Sequence, residues 1–277
     1  MSFIEGINRF FSIYIDVFKG LGRVKILLPM FLYALAQCIL LYAMVSFYKE
    51  PFDGLMVPLL SRLFGNEITH YPAIFQALAS IFGYLTLPVS FILSSLLTGM
   101  AVFLFASFFE DEGLSISAAF KSAISKYHIL LLLWILETAV ILALITIPSQ
   151  FAGDFFQYSL KRQLVFRLML AGLGAFGTAV FAYTTASAVL GRTSFIKAII
   201  SSLRIFKENF FTTFFIVLVP VMIRFPIDFI NSKSAQYSGK FNPEFIAVLV
   251  LIGIIVSYIA NLFLVGGVTR VYVSERS

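Results

Sequence analysis

The chain has 277 residues, of which 60% are hydrophobic and 12% charged, whereas a soluble globular domain carries about 25% charged residues. With a mean hydropathy of +0.96 and a net charge of +6, the chain reads as membrane plus short connections, with no separate soluble domain. Two His and one Cys argue against metal, haem and chlorophyll schemes, which need clustered imidazoles or thiolates, so no cofactor or metal site is expected.

The N-terminal stretch SFIEGINRFFSIYIDVFK places Phe3, Ile7, Phe10, Tyr14 and Val17 at spacings of 4, 3, 4 and 3. Glu5, Asn8, Arg9, Ser12, Asp16 and Lys19 fall on the other face, which predicts an amphipathic helix over 2–20 lying in the membrane interface. The acids and Arg9 within this stretch argue against a cleavable signal.

A first span follows at 26–48. Cys38 lies inside it and has no partner for an intrachain disulfide. The connection 49–72 contains GLMVPLLSRLFGNEI, which suits a helix resting flat on the membrane surface. The next apolar run reaches Phe109 and is too long for one upright span. Pro88 predicts a division into a surface helix, 73–84, and a second span, 86–109; a single tilted, kinked helix is the alternative. Glu110, Asp111 and Glu112 are adjacent and point in different directions, as in a solvated turn.

Another amphipathic helix is predicted over 115–126. Ile116, Phe120 and Ile124 oppose Ser117, Lys121 and Ser125, and Ser115 is placed to cap the helix. Span three, 129–148, holds Glu137 at its centre. A charged side chain at that depth costs from ~2.5 to above 10 kcal/mol, so the carboxyl must be protonated, paired or open to a watery cavity. A neutral acid filling a polar pocket is the first reading, and a proton-linked path the second.

After a connection at 149–167, span four (168–190) carries Ala171, Ala175 and Ala179 with Gly172, Gly174 and Gly177 nearby. Small residues at this spacing make a helix-packing seam. The third amphipathic helix, 194–207, sets Ile196, Ile199, Leu203 and Phe206 against Lys197, Ser201, Arg204 and Lys207, with Ser194 as its cap. Span five, 210–230, contains Pro220, Pro226 and the i,i+4 pair Arg224 and Asp228. Arg224 and Glu137 sit about six residues apart in depth, a ~9 Å offset, so direct pairing requires tilt, a broken helix or water. The connection 231–244 leads to span six, 245–268, with Asn261 deep inside it. Gln37 and Asn261 are polar groups of the kind that join helices within a membrane.

Twelve of the 20 Lys and Arg fall on the side of the termini, which predicts that both termini are cytoplasmic. ISKYHILL (124–131) and IFKENFFT (205–212) suggest a duplicated helix-then-span unit on that side. The expected fold is an all-α, polytopic bundle of six spans with interfacial helices on the cytoplasmic side, one transmembrane domain over 1–277.

This plan resembles the YciC-like bacterial inner-membrane proteins in its six spans and in the Ser–amphipathic helix–Lys–span units at 115–133 and 194–214. GLGRVKILLPMFLYAL is also similar to the first span of small sulfate-permease-type proteins. The resemblance implies a bacterial inner (plasma) membrane location and an envelope role, and it supplies no functional residues.

No phosphate loop, H-E-x-x-H or G-x-S-x-G motif is present, and no catalytic residue is assigned. Glu137, Arg224, Asp228 and Asn261 are candidates for a substrate site or polar path. Arg192, Lys197, Arg204 and Lys207 are candidates for binding anionic lipid head groups. The expected function is a non-enzymatic membrane protein acting in envelope or lipid homeostasis, with lipids and other membrane-protein subunits as partners and no nucleic acid. The alternative is a small permease or channel with a polar path past Glu137, and a lipid-modifying enzyme ranks last. Convergence of polar residues from different spans on one cavity would favour the permease.

Overall fold

In a bilayer every backbone polar group must be satisfied within the protein, and this chain does so with helices. The computed structural model describes residues 3–156, 159–233 and 242–276. Six helical stretches among them are long and apolar enough to cross a membrane: Val24–Val45, Ala73–Phe109, Tyr127–Ala152, Leu160–Val189, Phe210–Asn231 and Phe245–Arg276. The protein is a polytopic helical membrane protein.

In chain order the helices are α1 (Phe3–Leu21), α2 (Val24–Val45), α3 (Asp53–Phe64), α4 (Ala73–Val89), α5 (Ser95–Phe109) and α6 (Ile116–Ser125). They continue as α7 (Tyr127–Phe156), α8 (Leu160–Phe181), α9 (Thr184–Val189), α10 (Phe195–Glu208), α11 (Phe210–Asn231) and α12 (Phe245–Arg276). The connection predicted at 231–244 lies mostly outside the described residues.

Residues 73–109 do not divide at Pro88 as expected. Helical structure runs through the proline, and a π-helical turn at Ser90–Ser94 joins α4 to α5. Such a turn shifts the helical register by one residue and disturbs the regular backbone bonding. Side chains compensate: the Tyr127 hydroxyl donates to the Ile92 carbonyl at 2.8 Å, and Tyr33 bonds the Ser90 hydroxyl at 2.6 Å. The first turns of α4 are held by burial, with Ile74, Leu78 and Ile81 packing beside Met56 and Leu60 of α3 and Ile246 of α12. The stretch predicted to lie flat thus presents a buried stripe to the bundle.

Span four departs from prediction in the opposite sense, because it breaks. α8 ends at Phe181 and α9 begins at Thr184. Ser202 of α10 satisfies the break: its hydroxyl donates to the Val180 carbonyl at 2.7 Å and accepts from the Tyr183 N–H at 3.2 Å. The small-residue seam faces two ways. Ala175 and Ala179 are fully buried in the main core, while a Cβ on Gly177 would come within 2.9 Å of Leu144 on α7.

Prolines in α11 leave carbonyls without their helical donors. Pro220 frees the Ile216 carbonyl four residues back, and Tyr14 of α1 donates its hydroxyl to that oxygen at 3.2 Å. An amphipathic helix on the terminus side therefore completes the backbone of a span.

The three amphipathic helices exist; on α1 the expected stripe packs inward through Phe10, Tyr14 and Val17, while on α6 and in part on α10 the inward face is rotated from the one expected. On α1 the buried positions are Gly6, Ile13, Val17 and Gly20, while Ile4, Phe11, Ile15 and Phe18 are exposed. On α6 the inward residues are Ala119 and Ala123, with Phe120 and Ile124 outside. On α10 they are Ala198, Ser202, Ile205 and Phe206, leaving Ile196, Ile200 and Leu203 exposed. Small residues open the inward face of each helix, joined by Ile13 and Val17 on α1 and by Ile205 and Phe206 on α10, and each helix turns further apolar residues outward. The two suggested repeats match in part: Asp111 and Arg192, shortly after α5 and α9, both have left-handed backbone (φ 54° and 50°), and Ser115 caps α6 by accepting from the Ala118 N–H, whereas Ser194 stands at the same position before α10 without a side-chain capping bond.

Candidate functional site: a charged cavity between the spans

Trp134, Glu137, Thr138 and Ile141 follow the i, i+3, i+4, i+7 rule and so share one face of α7. That face lines a cavity of about 330 Å³. The same cavity is lined by Asn261, Leu264 and Val265 of α12, Arg224 of α11, Thr178 of α8 and Thr185 of α9. Ser94, Ser95 and Thr98 close another wall, and Met30 and Tyr33 of α2 complete it. Polar side chains from separate spans therefore converge on one space.

The two ionisable side chains of this space are poorly satisfied among the described residues. Glu137 makes no hydrogen bond or ion pair with any described residue. The Arg224 Nε is buried and has no hydrogen-bond partner. Its nearest carboxylate is Asp228 Oδ2 at 3.9 Å, one turn along the same helix. An unmade hydrogen bond on a buried donor typically costs ~1–3 kcal/mol, more when the group is charged. Groups left in that state are ready for a ligand or water.

Arg224 also lines two adjoining cavities. One, of about 360 Å³, lies among α2, α4, α11 and α12 and contains Gln37, Asp228 and Asn231; the Asn231 Oδ1 is buried and also has no partner. The other, of about 340 Å³, lies among α7, α8 and α11 and contains Arg167, Thr178 and Asp228. Arg224 is the residue common to all three walls.

Of the four polar-path candidates, Glu137, Arg224 and Asn261 meet in the central cavity. Asp228 does not; it lines the two adjoining ones. The predicted depth offset is bridged by this shared space and not by a direct ion pair. The sequence reading missed Ser94, Ser95, Thr98, Thr178, Thr185 and Tyr33. Ser94 and Thr98, four residues apart within an otherwise apolar run, were the available signal. Among the described residues no group of three or more His, Cys, Asp or Glu is placed to hold a metal ion.

The head-group candidates are elsewhere, on the terminus side. Lys197, Arg204 and Lys207 are exposed on α10 beside Ile196, Ile200 and Leu203 and have no partner among the described residues. Arg192 is exposed in the turn before α10, and its carbonyl accepts from Lys126 Nζ at 3.4 Å. Other cations on this side are used internally. Arg9 donates to Asn209 Oδ1, Ser274 Oγ and Glu275 Oε1, and Arg270 donates to Asp16 at 3.0 Å.

No protein-family model, curated protein or solved structure matches this chain.

Proposed function

We propose that the protein is a non-enzymatic membrane transport protein that admits a small polar solute to the cavity containing Glu137, Arg224 and Asn261. The observation that carries this reading is the convergence of Glu137, Arg224 and Asn261 from three spans on one 330 Å³ space, where the Arg224 Nε is buried without a hydrogen-bond partner. Ionisable residues within membrane spans are rare and commonly mark a substrate or ion pathway. The π-helical turn and the prolines of α11 add to this, since interrupted helices line transporter sites.

The test is a flux measurement. Proteoliposomes loaded with a mixture of small polar solutes are diluted, and the retained solutes are quantified by mass spectrometry. Protein-dependent loss of particular solutes, suppressed in Glu137→Gln and Arg224→Gln, is the expected result; equal retention with and without protein overturns the reading.

A second role, in lipid contact, is favoured by one separate observation. The outward apolar stripe of α10 is bordered by unpaired cations, an arrangement suited to the interface of an anionic leaflet. This is compatible with the envelope role that the YciC-like resemblance implies.

The excess of basic residues on the terminus side further supports cytoplasmic termini in a bacterial inner membrane. In a Cys38→Ala background, cysteines placed at 4 or 275 should resist an impermeant thiol reagent in intact cells, while one at 66 should label. Labelling at either terminus reverses the assignment.

A further inference from the structure

The cavity holds one acid and one guanidinium on different helices, and each lacks a hydrogen-bonding partner there. They do not pair with each other: the ion pair of Arg224 is with Asp228. A ligand bearing only a cationic nitrogen would answer Glu137 and leave Arg224 as it is. A ligand bearing only an acid would answer Arg224 and leave the Glu137 carboxylate facing a second negative group. A molecule with both would satisfy both walls, and would carry no net charge to membrane depth, where net charge is costly.

The wall around Glu137 suits a cationic nitrogen in a second way. Trp134 lies one turn before Glu137 on the same face and lines the same cavity. Indole is the strongest aromatic partner for a cation. The indole meets Phe91 in a T-shaped contact, with ring centroids 5.7 Å apart. Asn261, which lines the same cavity as Arg224, offers both a donor and an acceptor. The volume of about 330 Å³ lies at the small end of ligand pockets, ~300–1,000 Å³.

Building on the transport reading, we propose that this cavity recognises a zwitterion: a cationic nitrogen held by Glu137 and Trp134 and an acidic group held by Arg224 and Asn261. Free zwitterionic solutes and the head group of a zwitterionic phospholipid share this chemistry.

Trp134 is the protein's single tryptophan, so its emission reports on the cavity without any label. Full-length protein in phosphatidylglycerol nanodiscs is titrated with glycine betaine and 4-aminobutanoate, which carry both charges, and with choline and acetate, which carry one each. The proposal expects at least one zwitterion to shift the emission at a concentration ~10-fold or more below choline and acetate. Glu137→Gln and Arg224→Gln should each weaken that response by a similar factor. The comparison of the four solutes on the unaltered protein stands even if a variant fails to fold.

Phosphatidylethanolamine nanodiscs separate the two sources. If the ligand is a head group, this lipid alone shifts the emission relative to phosphatidylglycerol, and the shift is lost in both variants. Choline or acetate acting as strongly as the zwitterions overturns the proposal. So does the absence of any response both to zwitterions and to phosphatidylethanolamine. Flux without zwitterion binding would remove the ligand class and leave transport standing, whereas zwitterion binding without flux would do the reverse.

Discussion

Two groups of charged residues in this protein are treated in opposite ways. On the terminus side, Arg9 meets Glu275 at 2.8 Å and Arg270 meets Asp16 at 3.0 Å. These contacts fasten α1 to the end of α12. Between the spans, Glu137 has no partner among the described residues, and Arg224 has one loose one at 3.9 Å. The well-paired side chains are about a third exposed or less, whereas Arg224 and Asp228, within a span, are 41% and 56% exposed and meet only loosely. Charges that hold the fold together are paired by the fold, and the cavity charges are left for something else.

The largest effect on the fastened side should come from packing beneath the ion pairs. A Cβ at Gly266 would come within 2.8 Å of Val17 and 2.9 Å of Phe105. Gly266→Val should therefore lose stability at the top of the ~1–3 kcal/mol range for overpacking, and chemical denaturation in detergent will read it. It should also make α1 newly sensitive to protease, since α1 seats on that position. Unchanged stability would mean that α1 is not seated there.

Arg9→Ala removes three contacts at a partly exposed site, so solvent screening limits the loss to about 1–2 kcal/mol. The same denaturation measurement applies, and a loss below that range would place the ion pairs outside the stabilising set.

A smaller effect belongs to Tyr14. Tyr14→Phe leaves the Ile216 carbonyl without a donor and should cost about 1 kcal/mol. In a Pro220→Ala background the restored backbone N–H can bond that carbonyl, so the same change should cost less. Equal costs in both backgrounds would show that the hydroxyl does not serve the proline gap.

The smallest effect on stability is expected from Lys197, Arg204 and Lys207, all exposed and unpaired. Replacing the three with Gln should leave stability within ~0.5 kcal/mol while reducing the acidic lipid retained on purification in detergent. Unchanged retention would leave α10 as a packing element only.

The six spans were legible because lipid imposes a strong, local pattern: about 20 apolar residues with charges at the ends. The break at Tyr183 was not legible, since Ser202, which satisfies it, comes from another helix. Amphipathic phase was misread on α6, and in part on α10, for a related reason. A stripe of Ile and Phe predicts contact with something apolar, but not whether that is lipid or protein. On α10 the protein took the face with Ala198, Ser202 and Phe206 and left Ile196, Ile200 and Leu203 outside. Arg9 and Asp16 were assigned to a solvated face because nothing local reveals that the end of α12 meets them. Glu137 was legible as an anomaly from its depth alone. Its company was not: residue counting put Arg224 ~9 Å away in depth, and a shared cavity requires no alignment in depth.

The central claim is that the cavity charges serve a ligand and not the fold. The most direct measurement compares Glu137→Gln with Arg9→Ala, recording unfolding and solute flux for both in the same lipid. The account predicts that Glu137→Gln stays within ~0.5 kcal/mol of the unaltered protein and loses flux, while Arg9→Ala loses stability and, where folded, keeps flux. A Glu137→Gln protein destabilised as much as Arg9→Ala, with flux intact, would contradict it.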